Sequence, residues 1–269
     1  MQFSSPTGVS GYFEQQGTGE KVVLVHGFTA DGRSLERIAN ILSERYDVLV
    51  PDMPGTERSD LTPNGWGLED FAKWLKDLTL EVWNGEPFSF FGHSMGGYIG
   101  LAYAEMFPKD LKAFGLILSR VFEDGEEKKA GRRKLIDFVE RNGAEPIVRD
   151  LYKLIFNDSF RTEHPDVIEF FVETAKRFPK EGIMRAAEAM LNRPGRARVW
   201  EELECPKLLL AGAEDKLIDR ETNLRQASLS DNSLVLIEEN MSHMGIVEEP
   251  ERVAEIIDRF LVQSLIDRD

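Results

Sequence analysis

The stretch FFGHSMGGYIG, from Phe90 to Gly100, places one serine between an apolar run and a run with helical spacing. The letters PFSFF predict a buried strand that leads into it, and MGGYIGLAYAEMFP predicts a helix that ends at Pro108. Glycines stand two residues before Ser94 and two and three residues after it, so the backbone can turn sharply there without Cβ collisions. A strand–turn–helix of this kind exposes the Ser94 hydroxyl at the apex of the turn.

Strands and helices alternate on both sides of this turn. Buried-strand patterns occur in KVVLVHG, DVLVPD, LKAFGLILS, PKLLLAGAED and SLVLIEEN, and helical patterns occur in SLERIANILSERY, LEDFAKWLKDLTLEVW and PERVAEIIDRFLVQSLI. Strands that are apolar on both faces and alternate with helices indicate a parallel sheet covered on both sides. The sequence therefore predicts an α/β fold with a mostly parallel central sheet flanked by helices.

The pattern changes between residues 121 and 200, where only helical spacing is found, as in RRKLIDFVERNG and GIMRAAEAMLNR. We expect this segment to be a helical cap, or lid, inserted after the sixth strand and lying over the carboxyl edge of the sheet, where such folds carry their sites. Residues 1–120 and 201–269 would then form the core domain.

Composition narrows the class of protein. The chain has 269 residues, a net charge of −15 and one cysteine, Cys205. So acidic a surface repels phosphate backbones and anionic lipid, so nucleic-acid and membrane partners are not expected. One cysteine allows no intramolecular disulfide, and the N-terminal residues lack the pattern of a signal peptide. We expect a cytoplasmic protein that is a monomer or a homodimer.

A serine hydroxyl is a poor nucleophile unless a base takes its proton, and the chain has four histidines. His93 adjoins Ser94, but neighbouring side chains at a tight turn point apart, so we expect it to pack beside the site. His164 precedes a proline and is expected on the surface, and His26 is expected to hold its own loop. His243 lies in a polar loop after the last strand and is the candidate base.

A third group must orient the imidazole of the base and stabilise its charge. Asp215 follows a buried strand at the carboxyl edge and is the preferred candidate. Three other acids compete with it. Glu214 occupies the alternate loop position, Asp219 is placed to cap the following helix, and Glu123 follows the strand GLILS.

The order Ser94, Asp215, His243 is that of an α/β-hydrolase, and the chain resembles this superfamily. The motifs that carry the resemblance are GHSMGG, HGF, DMPG, GAEDKLI and SHMGIVEEPERV, which run from about Val22 to Phe260. The resemblance implies the α/β-hydrolase fold and a Ser–Asp–His catalytic triad.

The same resemblance implies an oxyanion hole made by the backbone N–H groups of Phe28, after HG, and of Met95, at the start of the helix.

One loop departs from the family pattern. Its usual pattern D-x-P-G-x-G-x-S is here DMPGTERSD, with Glu57 where a glycine is expected. The sequence therefore does not predict the shape of the pocket beside this loop.

The expected activity is that of a serine hydrolase, specifically a carboxylesterase that cleaves esters of small to medium acyl groups through an acyl-enzyme on Ser94. No metal ion or organic cofactor is expected. The same triad would also serve a lactonase similar to enol-lactone hydrolases, a C–C bond hydrolase, a perhydrolase or an aminopeptidase. A ligand receptor on the same fold is the alternative that is not an enzyme.

Candidate substrate contacts lie in or near the helical segment. Arg120 follows the strand GLILS, where it could receive a substrate carboxylate or form an ion pair with Glu123 or Asp124. Apolar residues of the segment recur at helical spacing, and a minority of them should line the pocket. Phe138 and Phe156 are predicted to be among these.

Overall fold

The six predicted strands and two further edge strands form one eight-stranded sheet within residues 1–266, the part of the chain that this computed structural model describes. The strands are β1 (Gln2–Ser4), β2 (Ser10–Gln16), β3 (Glu20–Val25), β4 (Tyr46–Pro51), β5 (Phe88–His93), β6 (Leu111–Ile117), β7 (Lys207–Gly212) and β8 (Ser233–Glu238). Their order across the sheet is β1-β2-β4-β3-β5-β6-β7-β8. Strands β3 to β8 run parallel, whereas β1 and β2 form an antiparallel edge. The predicted fold class is confirmed, and the β1–β2 edge is an addition to it.

Helices cover both faces of the sheet. They are α1 (Glu36–Leu42), α2 (Leu68–Trp83), α3 (Met95–Met106), α4 (Glu126–Asn142), α5 (Glu145–Ile155), α6 (Asp158–Glu163), α7 (Pro165–Lys176), α8 (Lys180–Asn192), α9 (Ala197–Glu202), α10 (Arg220–Ala227), α11 (Gly245–Glu248) and α12 (Pro250–Ile266). Alternate residues of β3 point to opposite faces: Val22 and Leu24 pack with α1 and α12, and Val23 and Val25 pack with α2 and α3. Within residues 1–266, no helix has both the length and the apolar content needed to cross a bilayer.

The strand order reverses between β3 and β5, which places the site-bearing loops together. The chain passes from β3 outward to β4, returns to β5 on the other side of β3, and then continues outward through β6, β7 and β8. In open α/β sheets, ligands bind at the carboxyl ends of the strands beside such a reversal. The loop with Phe28 follows β3 and the turn with Ser94 follows β5, so both lie at this point.

The helices between β6 and β7 are packed onto the rest of the molecule rather than standing apart from it. The Tyr152 hydroxyl of α5 is buried and donates to the carbonyl of Thr29, at 2.6 Å. Helix α8 meets the loop after β4 at two glycines, where a Cβ on Gly182 would overlap the carbonyl of Gly55. Whether residues 121–200 act as a separate cap stays a prediction, because packing alone does not define a domain.

We predict that Gly182→Ala destabilises the protein by about 1–3 kcal/mol, because the added methyl group forces α8 away from the backbone of Gly55. The matched control is Gly131→Ala in α4, where nothing lies within 4 Å of the added Cβ and the higher helix propensity of alanine should raise stability. Urea unfolding followed by circular dichroism measures both. Equal free energies of unfolding for the two variants would contradict the close-contact argument.

Candidate active site

Ser94 joins β5 to α3 in a backbone conformation that side chains rarely adopt, with φ 51° and ψ −114°. The turn is possible because its neighbours have no side chains. A Cβ on Gly92 would overlap the backbone of Gly96, and a Cβ on Gly96 would overlap the carbonyl of Val25. The Ser94 N–H donates to the carbonyl of Ile117 on β6, at 3.1 Å. Strands β3 and β6 therefore hold the turn from both sides.

The structure brings the Ser94, His243 and Asp215 side chains into one chain of hydrogen bonds. His243 Nδ1 lies 2.7 Å from Asp215 Oδ2, and His243 Nε2 lies 2.9 Å from Ser94 Oγ. The other oxygen of Asp215 accepts from the N–H groups of Leu217 and Ile218, at 2.7 and 3.0 Å. An ionised Asp215 fixes the proton on Nδ1 and leaves Nε2 free to accept the serine proton.

The competing acids have other roles. Glu214 hydrogen-bonds the Asn157 side chain, and Asp219 accepts from the Thr222 N–H at 2.7 Å and caps α10, as expected. Glu123 is exposed to solvent. Of the four acids that the sequence offered, only Asp215 is hydrogen-bonded to His243 in the described chain.

The other histidines lie where the sequence placed them. His93 is buried, and its Nε2–H donates to the carbonyl of His243 at 2.8 Å, so it supports the backbone of the candidate base. Burial, together with the neighbouring His243, lowers the pKa of His93 to about 3, so this imidazole is neutral. His26 Nδ1–H donates to the carbonyl of the adjacent Gly27 at 2.9 Å, and its Nε2 accepts from the Met53 N–H at 2.9 Å, so it joins its own loop to the loop after β4. His164 is exposed.

The loop that carries His243 is anchored by groups that sequence inspection missed. The Ile155 carbonyl, at the end of α5, lies 2.8 Å from the Ser242 hydroxyl and accepts from the Met244 N–H at 3.2 Å. The Glu248 carboxylate lies 2.7 Å from the same hydroxyl and accepts from the Asn157 N–H at 2.6 Å. Ile155 and Asn157 are distant from this loop in sequence, whereas Glu248 lies six residues after Ser242. Ser242 and Glu248, both in the motif SHMGIVEEP, were therefore the available signals.

The predicted oxyanion-hole residues, Phe28 and Met95, have backbone N–H groups without a protein partner in the described part of the chain. Met95 is the first residue of α3, where N–H groups have no partner inside the helix. The loop before Phe28 passes close to the serine, since a Cβ on Gly27 would lie 3.1 Å from Ser94 Cβ.

A cavity of about 370 Å³ opens from Ser94 and His243 toward α4, α5 and α8. Its apolar wall comes from Phe28, Leu135, Leu151, Leu154, Ile155, Met190, Leu217, Ile218 and Met244. Arg120 also lines it, and its guanidinium is paired with Asp124, one of the two ion pairs that the sequence left open. A cavity of this size suits a small to medium ligand.

Two predicted substrate contacts require correction. Phe138 lies on α4 with 39% of its surface exposed, and Phe156 is fully buried among other aromatic rings. Neither lines the cavity. Helical spacing identifies residues that share a face, but it does not say whether that face meets the core, the cavity or solvent.

Glu57, which replaces the usual loop glycine, connects the loop after β4 to the helical segment. Its two carboxylate oxygens lie 2.6 Å from Arg33 Nη2 and 2.7 Å from Arg177 Nε, and Arg177 follows α7. Partial burial opposes ionisation of this carboxyl, but the two guanidinium groups keep its pKa below the ordinary range. Glu57 does not line the cavity with Ser94, so the departure changes how the loop is held.

Comparison with known proteins identifies the class. The chain belongs to the alpha/beta hydrolase family, whose model matches residues 22–256. The family resemblance inferred from the motifs is therefore confirmed, and the chain is a hydrolase of this family.

The chain is similar to hydrolases that carry different names. A malate-bound structure of a thermophilic esterase from Thermogutta terrifontis is 29% identical, covers 98% of both chains and superposes with a TM-score of 0.93. The (E)-2-((N-methylformamido)methylene)succinate hydrolase of Acinetobacter baylyi is 25% identical over 93% of both chains. The enol-lactonase of Burkholderia xenovorans has a TM-score of 0.89, covers 97% of this chain and 100% of its own, and is 17% identical, which shows a shared fold.

We predict that His93→Gln reduces the loss of stability at acid pH. The folded protein keeps His93 neutral down to about pH 3, whereas the unfolded chain protonates this residue near its ordinary pKa of about 6.5. As pH falls from 6.5 toward 3, the wild type therefore loses free energy of unfolding, by up to about 1.4 kcal/mol per pH unit from this residue. Glutamine does not titrate, so the variant loses less.

Urea unfolding at pH 7.0 and pH 4.5 measures this difference. His164→Gln is the control, because His164 is exposed and its replacement should leave the wild-type pH dependence unchanged. Parallel pH profiles for wild type and His93→Gln would contradict a buried, neutral His93.

Proposed function

We propose that this protein is a serine carboxylesterase that hydrolyses esters of small to medium acyl groups through an acyl-enzyme on Ser94. The observation that carries the proposal is the hydrogen-bonded series Asp215–His243–Ser94, which opens on a mostly apolar cavity. The similarity to the Thermogutta esterase over nearly the whole chain supports the choice of ester substrates.

Acylation begins with the ester carbonyl beside Ser94. His243 Nε2 accepts the hydroxyl proton as Ser94 Oγ attacks the carbonyl carbon, and the π electrons move onto the carbonyl oxygen. Asp215 stabilises the imidazolium cation that forms. When the tetrahedral intermediate collapses, the imidazolium gives its proton to the departing alcohol, and the acyl group remains on Ser94.

Deacylation repeats these steps with water. His243 takes a proton from the water molecule as its oxygen attacks the acyl carbon, and the imidazolium then returns the proton to Ser94 Oγ as the carboxylic acid leaves. The same base therefore serves both halves of the reaction, and the protein returns to its starting protonation state.

The N–H groups of Phe28 and Met95 stabilise the oxyanion of each tetrahedral intermediate. Their dipoles are fixed by the backbone before the reaction begins, and Met95 adds the positive end of the α3 dipole. A single donor of this kind accounts for about 10²–10³-fold in kcat. Residues 121–200 act in this proposal as a cap that encloses the acyl group and limits the access of water.

We predict that Ser94→Ala lowers the kcat for p-nitrophenyl butyrate by about 10⁴-fold or more, because the variant has no nucleophile. A fluorophosphonate probe should add covalently to the wild type and not to Ser94→Ala, as measured by intact-protein mass spectrometry. His164→Ala is the control and should keep full activity and labelling, because His164 is exposed.

The same assays separate the alternatives. A wild type that neither reacts with the probe nor hydrolyses any ester would contradict the proposal and favour a ligand receptor. Turnover of a δ-lactone without turnover of p-nitrophenyl butyrate would contradict the carboxylesterase assignment and favour a lactonase.

A further inference from the structure

The cavity beside Ser94 has a charge opposite to that of the whole protein. The chain carries a net charge of −15, yet three cationic side chains line the cavity: Arg120, Lys128 and Arg132. Among the residues that line it, all within the described chain, none is an aspartate or a glutamate. Positive charge is therefore present on the wall of a mostly apolar cavity that no lining carboxylate neutralises.

The arginines share a counter-ion that does not balance them. Asp124 is buried, and its Oδ1 accepts from Arg120 and from Arg193, the latter at 3.1 Å, while its Oδ2 accepts from Arg132. Three guanidinium groups thus meet one carboxylate. The buried Nε and Nη1 of Arg193 have no hydrogen-bond partner in the described part of the chain.

Lys128 adds a further positive charge on the same wall. Its Nζ donates to the carbonyl of Leu217 at 2.8 Å, and no ion pair joins it to an acid within residues 1–266. Asp219 is the other acid within electrostatic reach of this group, but its carboxylate caps α10. The positive potential acts on Tyr98, which also lines the cavity: burial alone would raise the pKa of its phenol, but Arg193, Arg120 and Arg132 lower it.

The sheet links one of these cations, Arg120, to the nucleophile. Arg120 lies three residues beyond Ile117, which pairs with His93 on the neighbouring strand β5. Its neighbour Ser119 donates a hydrogen bond to the Ser94 carbonyl at 2.7 Å. The pairing of β5 with β6 thus fixes where Arg120 lies relative to Ser94. Helix α4 contributes Lys128 and Arg132 to the same cavity.

We propose that the cavity selects esters that carry a free carboxylate, which binds at the cationic wall formed by Arg120, Lys128 and Arg132, with an apolar spacer between the carboxylate and the ester. This inference rests on the proposed function for the reaction at Ser94. Guanidinium and ammonium groups in a partly desolvated cavity bind carboxylates through short, charge-assisted hydrogen bonds. The apolar wall contacts the spacer.

Matched pairs of esters test this inference. In the first pair, p-nitrophenyl hydrogen glutarate carries a carboxylate on its acyl side and p-nitrophenyl valerate does not. In the second pair, 4-acetoxybenzoate carries a carboxylate on its alcohol side and phenyl acetate does not. In at least one pair, we expect kcat/KM for the anionic ester to exceed that for the neutral ester by about 10-fold or more, the effect of one charge-assisted hydrogen bond.

Three variants locate the effect. Arg132→Gln and, separately, Lys128→Gln should each lower the ratio of kcat/KM for the anionic ester to that for the neutral ester by about tenfold. Arg132 contacts Asp124, so Arg132→Gln could fold poorly, whereas Lys128→Gln leaves the contacts of Asp124 intact. Arg133→Gln is the matched control, because Arg133 is exposed on the same helix and does not line the cavity. It should keep the wild-type ratio.

A binding measurement separates failure of this inference from failure of the proposed function. Calorimetry should detect glutarate binding to Ser94→Ala and its loss when Arg132→Gln is added, whether or not Ser94 is a nucleophile. Hydrolysis of neutral and anionic esters at equal kcat/KM in both pairs, with no glutarate binding, would overturn the carboxylate site and leave the esterase proposal standing. Glutarate binding without hydrolysis of any ester would support the site and overturn the esterase proposal.

Discussion

The close approach of three backbone segments at Ser94 determines most of what surrounds the site. Gly92 and Gly96 can have no Cβ, because β5, the start of α3 and the end of β3 are in direct backbone contact there. A non-glycine residue at positive φ costs on the order of 1–3 kcal/mol, and it persists only where packing fixes it. The same packing brings the loop with Phe28 beside the serine. The position of the Ser94 hydroxyl in the cavity and the two unpaired N–H groups thus follow from a single constraint.

The loop with His243 depends on a second set of contacts that reach across the molecule. This loop follows β8, which is separated from β5 by two strands, so the sheet alone does not bring it to Ser94. The His93 side chain donates a hydrogen bond to the His243 carbonyl. The Ile155 carbonyl accepts hydrogen bonds from Ser242 and Met244, the residues on either side of His243. Because Ile155 ends α5, the helical segment supports the candidate catalytic geometry as well as lining the cavity. A shift of α5 would therefore be transmitted to the base.

The sequence predicted the parts of the molecule that depend on local pattern. Strands β3 to β8 are short apolar runs, and the turn at Ser94 has a glycine signature. The edge strand β2 was missed because SGYFEQQ carries few apolar residues and is only partly buried. Phe138 and Phe156 were misplaced because spacing does not specify which layer a helical face meets. The bridge from Glu57 to Arg33 and Arg177 was not predictable, because it joins residues that only the tertiary fold brings together.

The acidic surface and the cationic cavity act on anions of different size. Exposed charges are screened over about 10 Å at 0.1 M salt, so the net charge of −15 opposes contact with extended polyanions more than entry of a single carboxylate. Inside the cavity the effective dielectric constant is lower, and the nearby cations of Arg120, Lys128 and Arg132 dominate the local potential. The composition therefore disfavours nucleic acids and anionic lipids as partners but does not disfavour small carboxylates. Net charge therefore acts on non-specific contact with extended polyanions, whereas the charge on a cavity wall acts on the small ligands that enter it.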